Sequence, residues 1–104
     1  AVPEGKGTMM DNTVVVYLSD SAENHHSTCY EWPMLVLGNL GGRLKAGDRF
    51  INVPKYGEKG HRTVAGFYTT LLHAAGVQVN HFGQQDPELK GAVVQAGPIG
   101  ELLA

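Results

Sequence analysis

Six residues in unbroken succession, Thr13–Leu18 (TVVVYL), constrain this chain more than any other feature. All are β-branched, aromatic or aliphatic, which favours an extended strand. A strand with one wet face alternates apolar and polar residues. A continuous run is what a strand buried on both faces shows, as in a parallel sheet covered by helices. Met34–Leu37 (MLVL) is a second, shorter run of the same kind, entered through Trp32-Pro33 and ended by Gly38-Asn39. Cover is scarce, because the sequence offers one clear helix. Val64, Phe67, Tyr68, Leu71, Leu72 and Ala75 make an apolar stripe of period 3.6, with Thr63 as N-cap and Gly76 as the residue that ends it.

These segments predict an α/β fold: a small, incomplete, mostly parallel sheet with one main helix, in a single domain over residues 1–104. Buried parallel strands need cover on both faces, and one helix cannot supply it. The missing cover then comes from a partner chain or from sequence outside this one. Between the segments, Leu40–Pro54 is Gly-rich, with an edge strand expected at Arg49–Val53. Lys55–Arg62 reads as a mobile surface loop. Pro98–Ala104 reads as a short strand or helical turn.

Charge narrows the partners. Eight Lys+Arg against ten Asp+Glu give a formal net charge of −2, and no basic run exceeds two residues, which argues against a nucleic-acid binder. No apolar stretch approaches the ~20 residues of a membrane span. The first residues lack the charged-then-apolar pattern of a signal peptide. Cys29 is the single cysteine, so an internal disulfide and a CxxC knuckle are both excluded. A small buried hydrophobe is the commoner fate of such a residue, and a thiol enzyme built on it ranks last among the readings.

The richest chemistry lies at the carboxyl end of the first run: Asp20-Ser21-Ala22-Glu23-Asn24-His25-His26, with Cys29 and Glu31 close behind. Open α/β sheets hold ligands there. A divalent transition metal takes imidazole nitrogen and carboxylate oxygen from a loop that can wrap around it, and Asp20 followed by His25 or His26 meets that need. The plainer alternative is a solvated loop with adjacent histidines. Gly38-Asn39-Leu40-Gly41-Gly42 looks like a phosphate cradle but lacks the Gly-Lys-Ser/Thr ending, so a turn with positive φ is the better reading. His61-Arg62 stand before the helix, where side chains and the first N–H groups could hold an anion together; an exposed basic loop is the alternative. His73 is expected at the boundary of the helix's apolar stripe, and His81-Phe82 in turn or packing chemistry.

Read together, the segments resemble a known family. Asp11-Asn12-Thr13 through Ser19-Asp20 is similar to the "DNT-hydrophobic-SD" strand of the alkaline phosphatase and sulfatase superfamily. Glu31-Trp32-Pro33 through Gly47, Arg62 through Gly76, His81-Phe82-Gly83 and Gly97 through Ala104 resemble, in order, segments of an uncharacterised exported bacterial branch of it. The resemblance spans nearly the whole chain but only the carboxyl-terminal part of the superfamily's catalytic fold. It implies a metal-ligating carboxylate at Asp20. The His ligand that usually follows at once is replaced by Ser21, which leaves His25 or His26 to substitute. Glu31 stands where relatives carry a His before the Trp, and can ligate through oxygen. The implied protein is exported, and the implied cofactor is a divalent metal such as zinc.

Two functions follow. The chain is a metal-binding carboxyl-terminal piece of an alkaline-phosphatase-like hydrolase, acting on phosphate or sulfate esters. It would not be catalytically complete alone, since the nucleophile lies in the other part. Alternatively it is a non-catalytic module, a homo-oligomer or one that pairs its sheet with a partner chain.

Overall fold

The computed structural model describes residues 2–22, 30–89 and 95–104. The chain opens with a minimal hairpin, β1 (Pro3–Glu4) against β2 (Gly7–Thr8), closed by Gly5 in the left-handed region at φ +57°. A 3-10 turn at Met9–Asn12 follows, anchored by the Asp11 carboxylate, which accepts from the Thr8 N–H at 2.6 Å. The two apolar runs then form β3 (Val15–Leu18) and β4 (Met34–Leu37).

These strands pair antiparallel, with Val15 opposite Leu37, Val16 opposite Val36, Tyr17 opposite Leu35 and Leu18 opposite Met34. The mostly parallel sheet expected from sequence is therefore wrong. Both described sheets are two-stranded and antiparallel. The error has a physical cause: unbroken apolarity reports that both faces of a strand are apolar, and says nothing about strand direction. Along β3 and β4 exposure alternates despite the continuous apolar sequence. Val16, Leu18, Met34 and Val36 are half-buried on one face, whereas Val15, Tyr17, Leu35 and Leu37 are exposed on the other.

After β4 the chain turns sharply. Gly38 lies at φ +88°, and Leu40, Gly41 and Gly42 lie in succession at +51°, +65° and +80°. The turn is held by Leu40 N–H to the Thr13 carbonyl (3.4 Å), Gly41 N–H to the Asp11 carbonyl (2.8 Å) and Gly42 N–H to Asn39 Oδ1 (3.1 Å). The Leu40, Gly41 and Gly42 N–H groups are thus spent within the protein, as suits a positive-φ turn rather than a phosphate cradle. No strand forms over Arg49–Val53.

The helix α1 (Val64–Ala74) forms as the stripe predicts. Thr63 caps it by accepting from Gly66 N–H at 3.1 Å, and Gly76 at φ +91° follows its end. Its buried face is rotated from the predicted one. Gly66, Phe67, Thr69, Thr70 and Ala74 are buried, while Val64, Tyr68, Leu71 and Leu72 are half-buried and Ala75 is exposed. The small and hydroxylic side faces the closing segment. Thr70 Oγ1 donates to the Gly66 carbonyl (2.7 Å) and accepts from Ile99 N–H (2.8 Å). Residues 100–102 make a 3-10 turn, and Leu103 bridges to Leu44. Among the described residues the buried apolar set is Ala22, Leu44, Phe67, Ala74, Leu89 and Ile99, a small core for this length.

The outline is correspondingly open. The radius of gyration is 15.0 Å, against about 13 Å for an ordinary domain of this length. The accessible surface is 7260 Å².

Candidate functional site

Asp20 leaves β3 at the surface. Its Oδ1 accepts from the Ser21 hydroxyl at 3.0 Å, and Ser21 N–H donates to Ser19 Oγ at the same distance. Ala22 follows, buried and in the left-handed region at φ +52°. Glu31 is exposed. His25 and His26, the imidazoles predicted to join these carboxylates, lie outside the described residues, as does Cys29. Among the described residues no three His, Cys, Asp or Glu side chains gather closely enough to hold a metal ion. Asp20 and Glu31 are the two members of the predicted set that are described, and both are exposed carboxylates.

His61 and Arg62, the predicted anion pair, are both engaged by backbone. His61 is buried, with Nδ1 2.8 Å from the Pro54 carbonyl. A carbonyl only accepts, so Nδ1 is the donor in this contact. Arg62 Nη2 donates to the Gly97 (3.1 Å) and Pro98 (2.9 Å) carbonyls, and its buried Nε has no partner among the described residues. The guanidinium thereby ties the closing segment to the start of α1. His73 Nε2 lies 2.6 Å from the Val79 carbonyl just beyond the helix, and His81 Nδ1 lies 3.0 Å from the Gly83 carbonyl. Phe82 packs on Tyr68, with ring centroids 5.2 Å apart, so these residues take the turn and packing roles read from sequence.

Sequence reasoning missed a cluster that fastens the supposedly mobile Lys55–Arg62 loop. Tyr56 stacks on Tyr30, centroids 4.3 Å apart and planes 15° apart, and meets His61 edge-on at 5.6 Å. Its hydroxyl donates to Asp86 Oδ2 at 2.7 Å. Asp86 Oδ1 accepts from Glu88 N–H (2.8 Å), and Asp86 N–H donates to Gln95 Oε1 (2.7 Å). Gln95 Nε2 returns to the Asp86 and Leu89 carbonyls. The hydrogen bond to Asp86, with lesser help from burial, pushes the Tyr56 phenol up to about 12, and the same bond holds the Asp86 carboxyl below its ordinary value. At neutral pH the phenol therefore keeps its proton and the carboxylate its charge. The pair is a fastening, unsuited to proton transfer. Tyr56 in a Gly- and Lys-rich run gives no sequence signal of a partner thirty residues away.

The remaining feature is the outer face of β3–β4. Val15, Tyr17, Leu35 and Leu37 are 45%, 75%, 53% and 50% exposed, and the strand register sets them as two facing pairs on one surface. β3 and β4 contain no charged residue. At the Leu18–Met34 end a hollow of about 310 Å³ is lined by Tyr17, Leu18, Ser19, Pro33, Met34 and Leu35. No helix among the described residues is long and apolar enough to cross a membrane.

Comparison with protein-family models, with curated proteins and with solved structures finds no match to this chain.

Proposed function

We propose that this chain is a non-catalytic assembly module whose β3–β4 sheet is covered, in its working state, by protein. The observation that carries this reading is the uncharged quartet Val15, Tyr17, Leu35 and Leu37, contiguous and exposed on one sheet face. Contiguous apolar surface costs free energy in water, at roughly 25 cal/mol per Å², and in soluble proteins it marks an interaction site. Two further observations support it. Among the described residues each of the two strands has a single neighbour in its sheet, which leaves its other edge open to a further strand. Phe50, on the loop before Lys55, is 92% exposed, an aromatic anchor without a pocket of its own.

The test uses a dye that fluoresces on apolar surface, read with dilute full-length chain and with the Leu35→Lys and Tyr17→Lys variants. Wild type is expected to bind dye saturably, or to sediment above 11.1 kDa because the face is already covered, and the variants to do neither. A dilute wild-type chain that is monomeric and takes up no more dye than the variants overturns the reading.

A further inference from the structure

Phe50 lies on an open stretch of backbone. After a bend at Gly47-Asp48 the chain runs through residues 49–55 without helix, strand, turn or further bend. Among the described residues no backbone N–H or carbonyl from Phe50 to Val53 makes a hydrogen bond. Both ends of the stretch are nonetheless fixed. Arg49 Nη1 donates to the Lys45 (3.0 Å) and Glu101 (3.1 Å) carbonyls, and the Pro54 carbonyl accepts from His61 Nδ1 at 2.8 Å. Between these anchors exposure alternates, with Phe50 and Asn52 outward and Ile51 and Val53 half-buried. The chain thus presents a short unpaired strand with its bulkiest side chain in water.

Endoproteases bind substrates in this form: an extended segment whose free N–H and carbonyl groups pair with the enzyme, and whose side chain before the cut fills a pocket. We infer that the Phe50–Ile51 peptide bond is a processing site for endoproteases of the chymotrypsin type, whose apolar slot takes an aromatic ring. The reaction is a hydrolysis: water adds across the amide, the C–N bond breaks, Phe50 keeps the carboxylate and Ile51 the amine. The other aromatic side chains are withheld. Tyr17 is exposed, but its strand is paired to β4; Tyr30 and Tyr56 stack on each other; Trp32 is half-buried; Phe67 and Tyr68 lie in α1, and Phe82 packs on Tyr68. Cutting after any of these first requires local opening, which lowers the cleavable fraction, whereas Phe50 requires none. Cleavage should leave a two-piece molecule. Residues 1–50 and 51–104 are joined across the cut by Lys45 N–H to the Leu102 carbonyl (2.8 Å), by Ala104 N–H to the Arg43 carbonyl (3.1 Å) and by buried Leu44 bridging to Leu103. The inference concerns this loop alone and stands apart from what covers the β3–β4 face.

Limited digestion of the dilute full chain with chymotrypsin tests this. The first products expected are 1–50 and 51–104, identified by mass and amino-terminal sequence, and they should co-elute with uncut chain in gel filtration. Phe50→Ser changes a side chain that is 92% exposed, so the fold is kept, and it should slow the loss of intact chain at least about tenfold. Tyr17→Ser, at the exposed aromatic of β3, should be digested at the wild-type rate. A first cut after any other residue overturns the inference, as does a wild type that resists digestion as long as Phe50→Ser. Pieces that separate on the column overturn the two-piece product.

Discussion

The hydroxyl of Tyr56 donates to the carboxylate of Asp86 across 2.7 Å and thirty residues of sequence, and this bond makes the Lys55–Arg62 loop part of the fold. Its pH dependence has two limbs. The phenol is pushed up to about 12, so its contribution is complete below the unfolded value near 10 and is lost as pH rises towards 12. The carboxyl is held below its ordinary value, so its contribution is complete above about pH 4 and is lost as pH falls through the lowered value. Ultraviolet titration of the four tyrosines should show one phenol ionising near pH 12. That step should vanish in Tyr56→Phe and move to lower pH in Asp86→Asn. A wild-type curve without it would mean that the loop is not fastened this way.

Fully buried threonines on the helix separate two kinds of hydroxyl. Thr70 Oγ1 is the partner of Ile99 N–H, whereas Thr69 Oγ1 only donates back to the Ala65 carbonyl, at 2.8 Å. Thr70→Val leaves a buried N–H unsatisfied and should cost about 1–3 kcal/mol in urea unfolding. Thr69→Val removes no group on which a buried donor depends, and should cost under about 1 kcal/mol. Equal losses would place the closing segment elsewhere.

Gly38 is required at the end of β4 for two reasons. Its φ is +88°, and a Cβ there would collide with the Thr13 carbonyl oxygen and reach Met10 Cε at 3.0 Å. Gly42 shares the positive φ, at +80°, but a Cβ there meets nothing within 4 Å. Gly42→Ala should therefore cost only the left-handed penalty, about 1–2 kcal/mol. Gly38→Ala should add an overpacking cost, for about 2–4 kcal/mol in all. The difference between the two measures the collision, and its absence would mean that β3 and the turn are further apart.

Elements driven by local chemistry were legible in the sequence. The 3.6 period, Thr63 and Gly76 placed α1 within a residue, and the two apolar runs located β3 and β4. Relations between distant segments were not. Strand direction depends on how residues 19–33 return the chain, which side-chain apolarity does not record. The buried face of α1 is chosen by Ile99, Gly97 and Pro98, whose backbone groups demand Thr70 and Arg62, so hydroxyls displaced part of the apolar stripe from the core. The scarcity of cover was visible as an imbalance of two two-faced strands against one helix, and it reappears as the bare quartet. At the predicted metal loop, Asp20 and Glu31 are both exposed, and His25 and His26 fall outside the described residues.

Arg62 and Thr70 hold adjacent links of one segment, Gly97 and Pro98 by their carbonyls and Ile99 by its N–H. Two anchors on three successive residues should not act independently. Once either is removed the segment can loosen, and the other then has less to hold. Arg62→Met alone should cost about 1.5–3 kcal/mol, the range for hydrogen bonds from a charged donor. Combined with Thr70→Val, the loss should fall short of the sum of the single losses by at least about 0.5 kcal/mol. Arg62→Lys, a point charge in place of a planar fork, should recover only part of the stability, because the guanidinium reaches two carbonyls from one nitrogen. Urea titrations of the four chains in the cycle give the coupling directly. Strict additivity would mean that Gly97–Pro98 and Ile99 are fixed separately, and that the closing segment does not move as one unit.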